Sequence, residues 1–328
     1  MGKSKVLCTF TLDDDEKEYL EAVVELIYKP TVVLTDEILD LIKNCEGYLN
    51  FHSQINEEFL NAAPNLKIVS NVGVGYNSFD IEGMRSRGIV GTYTPHVLDM
   101  TVADLIIALM LATARRVAEM DSAVRANNWA NIAYKDRQGL LVTGQKLGVI
   151  GMGRIGETVA QKAIGGFDMD VSYYNRTRKP EAEKKLGVRF LPMDELLKTS
   201  DFVVLMTPLT PETRELISER EFKLMKNTAI FVNASRGHTV NEQHLIAALK
   251  TGQIWGAGLD VFQNEPIEDD NELLSLKNTV LLPHLGSSVA ETQREMKKVA
   301  LDALVDYFSG RALKYIVPEL ADLHNDKL

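Results

Sequence analysis

Short runs of apolar residues alternate along the chain with longer stretches in which apolar residues recur at helical spacing. In the first third of the chain, the runs predict strands at 5–10, 48–51, 68–72 and 89–93. Between them, the helical periodicity predicts helices at 15–25, 36–44, 56–63 and 81–87. Because strands that alternate with helices usually form a parallel sheet, this pattern predicts a three-layer α/β lobe.

The same alternation returns in the second half of the chain. Strands are predicted at 147–150, 171–174, 201–206, 227–233, 254–260 and 278–282, and helices at 157–164, 194–198, 218–226 and 241–250. About six strands around one glycine-rich turn indicate a doubly wound nucleotide-binding domain. Longer helical stretches at 99–126 and 288–313 are interpreted as crossings between two lobes. The predicted domains are therefore 99–287 and a discontinuous lobe formed by 1–98 and 288–328.

Composition narrows the class of protein. The chain has 328 residues, of which 45% are hydrophobic, as in a globular protein of two domains. A net charge of −10 argues against a nucleic-acid partner. Cys8 and Cys45 form no metal or redox motif and are predicted to be buried thiols in a reducing compartment. With neither a signal-like start nor an apolar run of membrane length, the chain is predicted to be a soluble cytoplasmic protein.

A glycine-rich turn follows the apolar run at 147–150 and opens the helical pattern. In it, Gly151 permits a tight turn, Gly153 lets the backbone approach a pyrophosphate, and Gly156 lets the helix pack on the strand. The backbone of Arg154 and Ile155 then lies at the helix N-terminus, which attracts phosphates. A strand, this turn, a helix and a second strand follow within about 30 residues, so a dinucleotide site is favoured over a turn without a ligand.

The end of the second strand indicates which dinucleotide is bound. NAD-binding units usually carry Asp or Glu there, whereas this chain has Asn175, followed by Arg176, Thr177 and Arg178. Asn does not repel a 2′-phosphate, and the two arginines can bind one through charge-assisted hydrogen bonds. A solvated basic loop is the alternative. We predict a preference for NADP(H), with NAD(H) possible.

Three ionisable residues follow predicted strand ends, where ligands of doubly wound sheets bind. Arg236 can offer several donors to a carboxylate and a keto oxygen, and His284 can donate a proton to a carbonyl oxygen. Glu265, if hydrogen-bonded to His284, would fix its orientation and favour its charged form. Singly, each has an ordinary alternative: a salt-bridge partner, a residue of a turn, or a buried core histidine. Together, beside a nicotinamide site, they favour catalysis.

In the first lobe, the segment 71–77 resembles a glycine fingerprint but lacks its third glycine. A bare turn is the default interpretation. The backbone N–H groups of Val74 and Gly75 could instead hold a carboxylate in a small nest. No cluster of His, Cys and Asp has the spacing of a metal site, so no metal is expected.

Taken together, the motifs resemble those of the D-isomer-specific 2-hydroxyacid dehydrogenases. The resemblance rests on 151–156, on Asn-Ala-Ser-Arg-Gly at 233–237, on Asp-Val-Phe at 260–262 with Glu265-Pro266, and on Pro-His-Leu-Gly-Ser at 283–287. It covers essentially the whole chain, in the same order and spacing. It implies an α/β fold of two doubly wound parallel-sheet domains, with a Rossmann nucleotide domain inserted in a discontinuous, flavodoxin-like substrate domain. It also implies a homodimer, and an active site in the cleft between the domains.

The resemblance also assigns residues. It implies that Arg236 anchors the substrate, that His284 is the acid/base, that Glu265 is its partner, and that Val74 and Gly75 hold the substrate carboxylate. Positions assigned to the cofactor are Thr101, Thr207, Pro208, Ala234, Ser235, Asp260 and Gly286, with Asp260 at the nicotinamide carboxamide. His52 lies near the substrate pocket in this family, and His96 either faces the hinge or touches the cofactor.

Within the family, the segment 175–178 is most similar to that of the NADPH-dependent glyoxylate/hydroxypyruvate reductases. The first hypothesis is therefore reduction of a small 2-oxo acid to the D-2-hydroxy acid. The alternative is a dinucleotide-sensing binding protein similar to the corepressors that share this fold, because those proteins can keep the same three ionisable residues. Formate oxidation is less favoured, because it would require an amide where Glu265 stands.

Overall fold

The structure is a computed structural model that describes residues 2–31, 35–51 and 53–325. The chain forms two compact units, Met1–Leu98 with Val289–Leu328, and Asp99–Ser288. Each unit is built on one parallel sheet, so the predicted fold class is confirmed. No helix within the described ranges combines the length and the apolar character that a membrane crossing requires.

The first unit contains a five-stranded sheet of order β2-β1-β3-β4-β5, the flavodoxin-like order. Its strands are β1 (Lys5–Cys8), β2 (Glu25–Tyr28), β3 (Gly47–Asn50), β4 (Ile68–Asn71) and β5 (Val90–Thr92). The helices that connect them are α1 (Asp14–Glu21), α2 (Asp36–Ile42), α3 (Glu57–Ala62) and α4 (Ile81–Ser86). Both predicted thiols, Cys8 and Cys45, are fully buried, and burial raises the pKa of Cys8 to about 12 and that of Cys45 to about 11.

The prediction of a helix at 15–25 was wrong at the C-terminal end. Helix α1 stops at Glu21, and Glu25 begins the edge strand β2, which the sequence pattern did not reveal. The strand is only partly buried and pairs in register with β1, from Lys5 opposite Glu25 to Cys8 opposite Tyr28. Its conformation therefore depends on pairing with a distant segment, which overrides local helical periodicity.

The second unit contains seven strands, one more than predicted, in the order β12-β11-β10-β9-β6-β7-β8. They are β6 (Lys146–Ile150), β7 (Asp170–Tyr174), β8 (Arg189–Phe190), β9 (Phe202–Leu205), β10 (Ile230–Asn233), β11 (Gly256–Leu259) and β12 (Thr279–Leu281). The helices are α5 (Asp99–Ala114), α6 (Val117–Arg125), α7 (Arg154–Phe167), α8 (Pro180–Leu186), α9 (Met193–Thr199), α10 (Glu219–Leu224) and α11 (Glu242–Thr251). Strand order reverses between β6 and β9, and ligands of such sheets bind at the carboxyl ends of the strands there.

The prediction of a single helix at 99–126 was also wrong. The segment is broken into α5 and α6, and Arg116 between them adopts a left-handed backbone conformation with φ 55°. At the break, the Leu140 N–H donates to the carbonyl oxygen of Ala114 at 2.8 Å, which replaces a bond that a continuing helix would make. The two halves also differ in environment: α5 buries much of its surface, whereas no residue of α6 is buried.

The chain returns to the first unit with α12 (Ala290–Phe308) and α13 (Asp322–Asn325). Helix α12 lies against β4, where the Ser70 hydroxyl donates to the Ala300 carbonyl oxygen at 2.8 Å. The remaining C-terminal segment completes this unit through a bridge between Thr92 and Ile316. The first sheet is thus covered by residues from both ends of the chain.

Candidate active site

Arg236, Glu265 and His284 follow three neighbouring strands of the second unit, β10, β11 and β12. The sequence alone required only that all three lie at one edge of a sheet. The structure brings His284 Nδ1 to 2.7 Å from Glu265 Oε2, while the Phe262 N–H donates to Glu265 Oε1 at 3.0 Å. The His284 and Glu265 side chains are each 36% exposed, so the pair is held in place yet open to a reactant.

Electrostatic interactions join all three side chains. Burial tends to raise the pKa of Glu265, but hydrogen bonds from His284 and the Phe262 N–H and the charge of Arg236 bring that pKa below its ordinary value. Burial lowers the pKa of Arg236, and the negative charge of Glu265 opposes that effect. A guanidinium stays charged at neutral pH in either case. The carboxylate of Glu265 therefore interacts with both a permanent cation and an imidazole.

Asp260 holds the turn that carries His284 through hydrogen bonds to its backbone. His284 has a left-handed backbone conformation with φ 54°, which is costly for a residue other than glycine. The next two N–H groups, those of Leu285 and Gly286, donate to the two carboxylate oxygens of Asp260 at 2.6 and 2.9 Å. Burial raises the pKa of Asp260, and these N–H groups and His284 act against that rise. Contact of Asp260 with a nicotinamide stays a prediction.

Asn233 holds the turn that carries Arg236, a role the sequence analysis missed. Its Oδ1 accepts from the N–H and hydroxyl of Ser235 at 3.0 and 2.7 Å, and its Nδ2 donates to the Arg236 carbonyl oxygen at 3.1 Å. An Asn that ends a strand just before a turn is a signal for such bonds. A Cβ at Gly237 would lie 1.8 Å from the Phe262 carbonyl oxygen, so the turns that carry Arg236 and Glu265 meet backbone to backbone.

The glycine-rich turn has the geometry that a dinucleotide requires. Gly151 has φ 104°, and a Cβ there would lie 2.6 Å from the Met206 carbonyl oxygen. A Cβ at Gly156 would lie 2.4 Å from the Gly151 carbonyl oxygen, so the helix packs closely on the turn. A Cβ at Gly153 would meet nothing within 4 Å, and no side chain caps the start of α7. Open space thus lies beside the positive end of the helix, as a pyrophosphate would need.

Other residues predicted to contact the cofactor lie at the same edge of the sheet. The Thr207 hydroxyl, just after β9, is buried and has no hydrogen-bond partner in the described part of the chain, which fits a site completed by a ligand. Pro208 is exposed, Ala234 is half-buried and Ser235 is buried. Thr101 lies in the first turn of α5, which is the start of this unit. These residues fit a dinucleotide, and their contacts with it stay predictions.

Arg154 was predicted at the phosphate-binding helix N-terminus, and its side chain forms an ion pair there. Its Nε donates to Asp99 Oδ2 at 3.0 Å. Its neighbour Ile155 is the second residue of α7 and is half-buried. The sequence offered no signal for the Asp99 pair, because the two residues are 55 positions apart.

In the loop after β7, the two arginines that were predicted to bind a 2′-phosphate differ in their surroundings. The Asn175 amide donates to the Thr177 carbonyl oxygen at 3.0 Å and so closes the loop. Arg178 forms two bonds of 2.7 Å with the carboxylate of Glu183, whose pKa falls to about 2 through Arg178 and the Tyr173 hydroxyl. Arg176 is exposed. A bound 2′-phosphate would therefore meet an Arg178 that is already paired with Glu183, and an exposed Arg176.

The predicted nest at Val74 and Gly75 belongs to the first unit and is half-buried there. The Asn71 amide donates to the carbonyl oxygens of Gly73 and Gly75 at 3.2 and 3.0 Å, so this segment is an ordered turn. His96 is exposed, with φ 76° and its ring 5.9 Å from that of Tyr315.

His52, which was expected near the substrate pocket, lies outside the described residues. Among the residues that the structure does describe, no three His, Cys, Asp or Glu side chains gather as metal ligands would.

Similar proteins have the same fold. Residues 107–286 match the family model described as D-isomer specific 2-hydroxyacid dehydrogenase, NAD binding domain. The chain is 41% identical over 319 residues to glyoxylate/hydroxypyruvate reductase B of Klebsiella pneumoniae, which covers 96% of this chain and 98% of that one. A relative of the same name from Escherichia coli K12 is 43% identical over 283 residues, which covers 86% of this chain and 87% of that one.

Solved structures show the same likeness. A protein of Thermus thermophilus superposes with a TM-score of 0.88 at 38% identity and covers 95% of this chain and 99% of its own. An NADPH-dependent glyoxylate/hydroxypyruvate reductase of Sinorhizobium meliloti, solved with NADP and malonate, has a TM-score of 0.86 at 29% identity, with 98% of both chains covered. The chain therefore belongs to the D-isomer-specific 2-hydroxyacid dehydrogenase family and is an NAD(P)-dependent oxidoreductase.

Proposed function

We propose that this protein is an NADPH-preferring reductase that converts small 2-oxo acids of the glyoxylate and hydroxypyruvate type to D-2-hydroxy acids. The observation that carries the proposal is the 2.7 Å pair of His284 and Glu265, on strand ends of the sheet that carries the glycine-rich turn. The substrate class is supported by the relatives that are reductases of this name. The cofactor is supported by the relative solved with NADP.

Arg236, Glu265 and His284, the catalytic trio, each have a role that their chemistry allows. A nicotinamide dinucleotide bound at the glycine-rich turn supplies the hydride that reduces C2 of the substrate. The guanidinium of Arg236 binds the substrate carboxylate and polarises the keto oxygen. His284 in its charged form donates the proton that the oxygen at C2 takes up. Glu265 orients the imidazole, and the N–H groups of Val74 and Gly75 bind the carboxylate as further donors.

NADPH preference is proposed to rest on Arg176. The loop presents no carboxylate in place of Asn175, and Asn175 itself bonds to Thr177. Because Glu183 pairs with Nε and Nη2 of Arg178, we assign the main contact with a 2′-phosphate to Arg176. A charge-assisted hydrogen bond contributes about 1.5–3 kcal/mol, which corresponds to roughly a tenfold to hundredfold preference. NAD(H) remains a slower cofactor.

The first experiment follows the loss of reduced-cofactor absorbance with glyoxylate, hydroxypyruvate, pyruvate and bulkier 2-oxo acids, using NADPH and NADH in parallel. We expect turnover of the small acids and a higher kcat/KM with NADPH. Equal rates with NADH would contradict the cofactor preference and leave the chemistry standing. Tight NADPH binding without turnover of any acid would contradict the reductase and favour a dinucleotide-sensing protein.

A pair of variants separates the two arginines. Arg176→Ala should raise KM for NADPH about tenfold or more and leave KM for NADH nearly unchanged. Arg178→Ala, the matched control, should change both cofactors alike, because its guanidinium is held by Glu183. Loss of NADPH selectivity in Arg178→Ala alone would reverse this assignment.

A homodimer is proposed on the surface of residues 117–141. Ten large hydrophobic side chains are exposed among the described residues, and five of them lie in this segment: Val117, Val124, Trp129, Tyr134 and Leu141. Clustered exposed aromatic and aliphatic side chains are typical of a surface covered by a partner. We propose a second copy of this chain as that partner. Location in the cytoplasm stays a prediction.

A further inference from the structure

We infer that Asn71, held by Asn50, is a positioning residue that orients the backbone N–H groups of Val74 and Gly75 for the substrate carboxylate. This inference rests on the proposed function, because it takes the substrate to be a small 2-oxo acid. It adds two buried side chains that have no place in the catalytic trio. All the contacts that carry it lie within the first unit.

Two buried side-chain amides form a directed chain of hydrogen bonds at the ends of β3 and β4. The Ser53 N–H donates to Asn50 Oδ1 at 3.1 Å, and Asn50 Nδ2 donates to Asn71 Oδ1 at 3.1 Å. Asn71 Nδ2 then donates to the carbonyl oxygens of Gly73 and Gly75 at 3.2 and 3.0 Å. Asn50 is 0% exposed and Asn71 is 4% exposed, so water does not supply these bonds.

Both ends of the chain of bonds dictate how the amides point. The Ser53 N–H can only donate, so Asn50 must present its oxygen there and its NH₂ group to Asn71. The carbonyl oxygens of Gly73 and Gly75 can only accept, so Asn71 must present its NH₂ group to them. Reversing either amide would place two donors or two acceptors face to face, and the arrangement therefore has one stable direction.

Asn71 thereby sets the direction of two peptide units. In a trans peptide the N–H points opposite to the carbonyl, and the one cis peptide within the described residues is Glu265-Pro266. Because the Gly73 and Gly75 carbonyls point at the Asn71 amide, the N–H groups of Val74 and Tyr76 point away from it. Neither N–H donates a hydrogen bond within the described part of the chain. The peptide unit that carries the Gly75 N–H lies between these two fixed units. Asn71 therefore holds the turn on both sides of the Val74 and Gly75 N–H pair, which is the pair proposed to form the anion nest.

A second hydrogen bond holds the peptide unit between Gly73 and Val74 in place. The Thr94 N–H also donates to the Gly73 carbonyl oxygen, at 3.0 Å. A Cβ at Gly73 would lie 3.1 Å from Asn71 Nδ2, so the glycine is what allows the amide to come this close. Through Ser53, the same chain of bonds reaches the loop after β3. The nest is therefore set together with the neighbouring loop, and we assign the two asparagines to carboxylate affinity.

The experiment compares Asn71→Ala and Asn50→Ala with a control on the same strand, in the full-length enzyme. We expect Asn71→Ala to raise KM for glyoxylate about tenfold, with kcat changed less than about threefold, because the lost contact binds substrate and transition state alike. Asn50→Ala should give a smaller rise in the same direction. Ser70→Ala removes an equally buried hydrogen bond, that to Ala300, and should leave KM within about twofold.

A variant that removes no buried hydrogen-bonding group guards against failure to fold. Gly73→Ala presses a methyl group on the Asn71 amide and should reproduce the rise in KM, with an unchanged circular dichroism spectrum. Binding of oxalate, a stable mimic of a 2-oxo acid, is measured by calorimetry and should weaken in parallel, independently of turnover.

The outcomes separate this inference from the proposed function. Suppose that the wild type reduces 2-oxo acids. The positioning role alone would then be overturned if KM is unchanged in Asn71→Ala, or if KM rises equally in Ser70→Ala. Oxalate binding that weakens in the variants, in an enzyme that reduces no 2-oxo acid, would support the nest and overturn the reductase. Wild type that binds no oxalate would overturn both.

Discussion

Individual residues could be predicted where their chemistry is rare and their place in the chain is informative. Arg236, Glu265 and His284 drew attention because each follows a strand end and none suits an apolar run. The roles of Asn233 and Asp260 in holding these turns were not predicted, because an Asn or Asp at the end of a strand is common. Asn233 and Asp260 acquire their roles from bonds to the turns at 234–236 and 285–286.

Replacing His284 with Gln tests the proton donor. Gln keeps a polar side chain but cannot carry the proton, so kcat should fall roughly 10²–10⁴-fold while NADPH binding stays intact. Stopped-flow turnover and fluorescence titration of NADPH measure the two effects. His244→Gln is the control, because His244 lies in α11 and bonds to the Ser218 hydroxyl rather than to a residue of the proposed active site. Undiminished turnover in His284→Gln would remove this residue from the mechanism.

At the scale of elements, the site depends on how closely neighbouring turns approach. The turns after β10 and β11 touch at Gly237, and the turn after β6 touches the segment just after β9 at Gly151. The loop after β7 is tied to α8 by the pair of Arg178 and Glu183. None of these contacts is between residues that share one strand or helix, so each element places a functional group only through its neighbour.

Gly237→Ala tests the contact between two turns. Its Cβ would lie within 2.0 Å of the Phe262 carbonyl group, so the turns that carry Arg236 and Glu265 must separate. A displacement of about 1 Å can cost roughly a hundredfold in rate, and we expect kcat/KM to fall by about that factor. Gly165→Ala in α7, where an added Cβ meets nothing within 4 Å, should keep full activity. Equal activity of both variants would show that the contact is dispensable.

The pair of Arg178 and Glu183 predicts a dependence of stability on pH. The pKa of Glu183 is lowered from 4.5 to about 2 in the folded chain. Its stabilising effect is therefore fully present above the unfolded value and is lost as pH falls through the folded value. Thermal melting of Glu183→Gln should show a lower Tm than wild type at about pH 7, and the difference should shrink towards about pH 2.

The control for this pH dependence is Glu181→Gln, which changes an exposed residue of the same helix. Its Tm should follow that of wild type at every pH. A difference between Glu183→Gln and wild type that is constant with pH would mean that packing, rather than charge, accounts for the effect.

At the scale of the whole molecule, two sheets of different strand order share one chain. The first unit is closed by residues after 289, which pack on β4 and bridge to β5, so it needs both chain ends to fold. The second unit is continuous in sequence from Asp99 to Ser288. It also carries the exposed apolar surface at 117–141, which a monomer would leave in water.

Trp129→Glu tests whether that surface joins two copies. Trp129 is 63% exposed, so the variant should fold, while the buried charge in a dimer interface should shift the protein towards monomer. Sedimentation velocity measures the shift. Val289→Glu changes an exposed apolar residue of the other unit and should leave the oligomeric state of wild type intact. A wild-type protein that sediments as a monomer would contradict the dimer.

By itself, the sequence determined the alternation of strands and helices, the glycine-rich turn and the residues that follow the strand ends. These depend on residue type and on spacing within about a dozen positions, which local chemistry dictates. The edge strand β2, the break between α5 and α6 and the short strand β8 needed tertiary structure. Each depends on a hydrogen bond or strand pair with a segment far along the chain.

Tertiary structure also decided which charges are available. Arg178 and Arg176 look alike in the sequence, but the fold places Glu183 against one of them. Asn50 and Asn71 are ordinary polar residues until β3 and β4 pair in parallel and bring their amides to 3.1 Å. Hydrogen bonds and ion pairs act over a few ångströms, and only the folded chain determines which side chains lie within that distance.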